Sequence, residues 1–163
     1  MNFEIDVSGE DIFSHNYTIV IADKNKFIRG FKFDRRLIQI LRSRQGERKY
    51  RYQISKPGKA LLRVRIYCII IYYLFKSITF KNKKEKLNLE ICKDFNGHEK
   101  DITSNLNYFL ENLLKLDIQI KYIKLPKGSN ADRYAGLMRK DIKNKIKGYV
   151  KINLKDIEKY LIK

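Results

Sequence analysis

Phe3-Glu4-Ile5-Asp6-Val7-Ser8-Gly9 opens the chain and decides how the rest of it reads. Apolar and polar residues alternate from Phe3 to Ser8, the period of a β-strand. Phe3, Ile5 and Val7 point one way; Glu4, Asp6 and Ser8 point the other. Gly9 then lets the backbone turn freely. An acid near the end of a first strand, followed by small residues, suits a hard metal ion. The same Asp6 also suits the wet face of an edge strand, and the acids further along weigh on the choice.

Working outward, residues 10–16 form a polar loop and 17–22 a second strand rich in β-branched residues. Asp23-Lys24-Asn25 is turn chemistry, and 26–33 resumes as a third strand with Gly30 as a bulge. Three strands with short turns make an antiparallel meander. Asp34 reads as the N-cap of a helix that stops by Gly46, with Leu37, Ile38 and Leu41 inward. Pro57-Gly58 reads as a break, and 59–77 as a largely buried helix. Residues 80–86 form a Lys-rich loop, and 87–94 a strand with Leu87, Leu89 and Ile91 on one face. Asp101 caps a helix whose buried stripe is Ile102, Leu106, Phe109, Leu110 and Leu113. A strand at 118–124 and a helix carrying Asp132 come next. The end holds a basic run at 140–147, a short strand at 149–152 and a helix from Asn153 with Ile157, Tyr160 and Leu161 inward. Residues 1–163 therefore read as one domain with a basic C-terminal extension from about 141.

The charge narrows the partner. Thirty-six Lys and Arg face 18 Asp and Glu, a net charge of +18, so the bases are not simply matched into ion pairs. Releasing counterions from a polyanion favours nucleic acid as the partner. Genome bias or high growth temperature is the compositional alternative. Arg35, Arg36, Arg42 and Arg44, then Arg48-Lys49-Tyr50-Arg51-Tyr52, are the candidate nucleic-acid contacts. In the second group arginines hold phosphates while tyrosine faces stack on bases, unless the stretch is an ordinary solvated face. Cys68 and Cys92 lie apart in apolar segments, without zinc spacing, and read as buried free thiols in a reducing cytoplasm. No signal peptide is expected at Met1, and the ten apolar residues 66–75 are about half of what a membrane span needs.

The order is three strands, helices, a strand ending in an acid, a helix, a strand, then a helix with an acid in its first turn. It resembles the ribonuclease H-like superfamily. There the first strand carries an Asp, matched by Asp6. The fourth strand ends in an Asp, matched by Asp94 in Glu90-Ile91-Cys92-Lys93-Asp94. A late helix carries an Asp beside small residues, matched by Asp132 in Ser129-Asn130-Ala131-Asp132-Arg133-Tyr134-Ala135-Gly136. Asp6-Val7-Ser8-Gly9 also looks like the Asp-Glu-Ser-Gly opening of an uncharacterised branch, with Val7 in place of Glu. The resemblance implies an α/β fold: a ribonuclease H-like mixed sheet with an antiparallel three-strand meander, flanked by helices. It also implies Asp6, Asp94 and Asp132 as ligands of Mg²⁺ or Mn²⁺ in a nuclease that hydrolyses phosphodiester bonds in DNA or RNA. Classical members add a Glu from the helix after the meander; residues 61–75 hold no acid, so that ligand is missing or comes from Glu90, Glu10 or Asp11.

Each acid also has a plainer role: Asp132 completes a capping box with Ser129, Asp94 starts the Asn96-Gly97 turn, and Glu90 pairs with a lysine. His15 and His98 read as loop residues. The missing helix acid favours a second reading, a nucleic-acid-binding module without catalysis. A third is an interaction subunit whose partner covers residues 66–73.

Overall fold

A computed structural model describes every residue except Lys26, Asp94, Asn96 and Lys163. Five strands form one sheet: β1 (Asn2–Ser8), β2 (Thr18–Ala22), β3 (Ile28–Lys32), β4 (Lys86–Cys92) and β5 (Asp117–Ile123), in the order β3-β2-β1-β4-β5. The expected meander is present, with β1–β2 and β2–β3 antiparallel. β1–β4 and β4–β5 are parallel, so the sheet is mixed. The helices are α1 (Arg35–Gly46), α2 (Lys56–Lys76), α3 (Glu99–Leu106), α4 (Asn130–Lys140) and α5 (Leu154–Glu158).

Alternation in the strands divides the apolar residues between two layers. On one face, Phe3, Ile5, Ile19, Ile21, Leu89 and Ile91 pack with α1, α2, α3 and α5. On the other, Val20, Ala22 and Ile28 pack with Leu125 and with Ala131, Ala135 and Met138 of α4. β2 is buried along its whole length because both layers cover it.

Several sequence expectations are corrected by packing. Gly30 is no bulge: it pairs regularly with Val20, and a Cβ there would meet Met138 Sδ at 2.5 Å. Pro57-Gly58 is no break; both lie in the first turn of α2 after the Ser55 cap, where proline is tolerated. A Cβ on Gly58 would run into the backbone of Gln53. The N-cap of α3 is His98, and Asp101 sits in its first turn. That helix continues as a π-helical turn, Asn107–Leu113, which rotates Leu113 out of the stripe to the surface. The strand expected at 149–152 is a single bridge, Gly30 with Tyr149, where Gly30 N donates to Gly148 O and Val150 N to Gly30 O. This bridge covers the β3 edge. Residues 66–72 are buried by the chain itself, which removes the partner-covered surface of the third reading. Cys68 is buried, and desolvation pushes its thiol pKa up; Cys92 is only half-buried. Among the described residues no helix is long and apolar enough to cross a membrane.

Asp141 organises the segment after α4. Its Oδ2 accepts from Ile146 N at 2.8 Å and Tyr149 Oη at 3.0 Å, and its carbonyl accepts from Lys32 Nζ at 2.6 Å. The Ile146 N–H, with further help from Lys145 N–H and Tyr149, holds the Asp141 pKa below the ordinary 3.8. A carboxylate depressed on folding stabilises above its unfolded pKa and stops doing so as pH falls through the folded value. Acidification below about 4 is therefore expected to lower the amide protection factors, corrected for the slower intrinsic exchange in acid, at Ile146 and in residues 148–150. Asp141→Asn should exchange fast at neutral pH already. Unchanged protection in both tests would show that Asp141 does not hold the segment.

Candidate functional site

β1 is the central strand, and β1 and β4 are its parallel pair. After β1 the chain turns to β2 on one side; after β4 it leads to β5 on the other. In open α/β sheets such a switch of direction leaves a crevice beyond the carboxyl ends of the parallel strands, where ligands bind. Asp6 lies near that end of β1, 5% exposed, with Val7 N donating to its Oδ1 at 2.8 Å. It pairs in register with Val20, so it shares the face that α4 covers. Asp6 is thus no wet residue of an edge strand. Asp94 falls just past β4 and lies outside the described residues.

Asp132 occupies the first turn of α4 on that same face. Its Oδ2 accepts from Gly128 N at 2.9 Å, and its own N donates to Ser129 Oγ at 3.4 Å. Ser129 is thus the cap, while the Asp132 carboxylate reaches Gly128 N and Ser129 N donates to Pro126 O, so the expected reciprocal capping box is only half formed. Asn130 Nδ2 donates to Asp23 O, which fixes this end of α4 beside the β2–β3 turn. Met138, over the Val20–Gly30 pair, lies about 9 Å further along the helix axis than Asp132.

The substitutes for a fourth acid separate. Asp11 pairs with Arg63 at 3.1 Å and accepts from Phe13 N. Glu90 stands opposite Glu4 in register rather than opposite Asp6. Glu4 itself is a nearer acid that the resemblance does not point to, although the opening alternation puts it on the Asp6 face, two residues before Asp6. Glu10 is exposed and lines a cleft of about 480 Å³ with Ser14, His15, Asn16, Arg139 and Lys140. α2 indeed carries no acid. Among the described residues no three His, Cys, Asp or Glu side chains gather closely enough to hold a metal ion.

The basic residues also divide. Arg35 and Arg36 are exposed at the start of α1. Arg48, Lys49 and Arg51 are exposed about 18 Å away, past the far end of that helix, lining a cleft of about 610 Å³. Arg42 is exposed between them, while Arg44 pairs with the buried Glu158. Tyr50 is not available for stacking: it is buried, with its hydroxyl on Glu158 Oε2 at 2.9 Å, and burial pushes its pKa up. Tyr52 is half-buried, with the Arg51 guanidinium 5.2 Å from its ring centre. Comparison of the chain with protein-family models, curated proteins and solved structures found no match.

Proposed function

We propose that this protein is a ribonuclease H-like domain that hydrolyses phosphodiester bonds in nucleic acid with Mg²⁺ or Mn²⁺. The observation that carries the reading is the buried carboxylate of Asp6 near the crevice end of the parallel β1–β4 pair. The order of elements agrees with the resemblance drawn from the sequence. Asp6, with Asp94, offers hard oxygen donors, the donor type that fits these cations, whereas Asp132, at the N-terminal end of α4 beside the β2–β3 turn, lies toward the opposite end of β1. Such an ion, when bound, activates a water and stabilises the leaving oxygen. The chain's own part is to fix Asp6 on a rigid central strand and to set Arg139 and Lys140 beside the loop that follows it, where their charge attracts the phosphate backbone.

A second reading, binding without cleavage, is favoured by the acid-free α2 and by the Gly128 bond on Asp132. Calorimetric titration of Mn²⁺ into the wild type and Asp6→Asn separates the two. Saturable binding lost in the variant supports the nuclease. No binding at millimolar metal leaves the binding module.

A further inference from the structure

A cavity lies between the β1–β2 loop, β3 and residues 141–150. It is half open to solvent and holds about 630 Å³, within the range of small-molecule sites. Phe31, Tyr149, Val150 and Ile142 supply apolar and aromatic walls, and Asn16 and Asn144 supply amides. We propose that this cavity holds one unstacked nucleobase of a single strand, and that the adjoining cleft holds its phosphate. The inference rests on the nucleic-acid half of the proposed function and not on the metal.

Four observations converge. Ile142 is 90% exposed, the largest exposure among the large hydrophobic side chains described, yet it stands on a segment pinned by Asp141. A rigidly presented apolar side chain at the mouth of a cavity suits a flat apolar occupant. The Tyr149 ring is fixed as well, because its hydroxyl donates to Met138 O and Asp141 Oδ2. Amides beside such walls are the groups that read base edges, offering a donor and an acceptor together. His15 and Asn16 line both this cavity and the 480 Å³ cleft, whose Arg139 and Lys140 supply the charge a phosphate needs. The two cavities therefore adjoin, as the base and phosphate of one nucleotide unit require. A base within a duplex stack cannot enter such a recess, so the occupant is single-stranded or splayed out.

The test uses the full chain, in chelator so that nothing is cut, with fluorescence anisotropy on a short labelled single strand, its duplex, and the strand carrying one abasic site. The variants are Ile142→Ala, whose side chain is already in solvent, and Asn144→Gly, whose φ of 51° glycine accepts without strain. Melting curves check that both stay folded. The wild type is expected to prefer the single strand, and each variant to weaken it roughly five- to tenfold. The salt slope should not change, since no charge is removed. The abasic site should weaken the wild type but not the double variant. Equal affinity in wild type and variants, an abasic penalty that survives in the double variant, or no nucleic-acid binding at all would overturn the proposal. Binding to anionic vesicles alone would also overturn it, in favour of a membrane surface. Absence of Mn²⁺ binding would end the nuclease reading and leave this one standing.

Discussion

Asp6→Asn is expected to reduce metal-dependent cleavage at least about 1000-fold, because losing an anionic ligand removes several kcal/mol of charge stabilisation. The substitution is nearly isosteric, and an Asn carbonyl still accepts from Val7 N, so the fold should survive. Stability supplies an independent readout. A ligand that binds only the folded state adds about 2.7 kcal/mol at a hundredfold excess over Kd. For a chain of this length that corresponds to a rise in Tm of roughly 5–10 °C. Mn²⁺ should therefore raise the Tm of the wild type and not that of Asp6→Asn. Cleavage retained by the variant would sink the assignment; an equal thermal shift in both would move the metal elsewhere. Asp132→Asn separates the two roles of Asp132. Asn at this first-turn position still accepts from Gly128 N and gives up only roughly 0.3–1 kcal/mol of helix-dipole attraction, so a large loss of cleavage with a nearly unchanged Tm would make Asp132 a ligand as well.

How much of this is legible in the chain depends on the range of the interaction. The alternation in Phe3–Ser8 reveals a strand and its two faces, because side-chain direction in a strand is local. It does not reveal that α4 buries the Asp6 face, which needs Ala131, Ala135 and Met138 to arrive from more than a hundred residues away. Gly30 reads as a bulge for the same reason: the atom that excludes a side chain there belongs to Met138. The interleaved tyrosines of residues 48–52 read as a stacking surface, but Glu158, far along the chain, claims Tyr50. Leu113 fits a 3.6-residue period, whereas the π-helical turn changes that period. The cavity walls are hidden because Phe31, Ile142 and Val150 come from three stretches that no short motif joins.

Arg65→Ala is expected to cost about 3 kcal/mol of stability, the scale of removing a buried, hydrogen-bonded charged side chain, and to lower Tm by roughly 6–12 °C. α2 carries no carboxylate for the sheet, but it does carry this guanidinium, 9% exposed. Arg65 Nε donates to Tyr160 O at 3.1 Å and Nη1 to Asn105 Oδ1 at 2.6 Å. Its guanidinium carbon lies 4.6 Å from the centre of the Phe109 ring. One side chain thus ties α2 to α3, to the π-helical turn and to the segment after α5. Burial pulls its pKa down, the expected effect of desolvating a cation, and the two acceptors and the ring offset part of that cost. Truncation leaves Asn105 Oδ1 and Tyr160 O without this donor and opens space beside Phe109. Arg65→Lys keeps the charge but not the planar fork and should recover only part of the loss. The charge is not presented to solvent, so nucleic-acid affinity and its salt slope should be unchanged wherever the variant is folded. A variant that melts like the wild type but binds nucleic acid more weakly would mean that Arg65 contacts phosphate, and that the helix pair must open to bind.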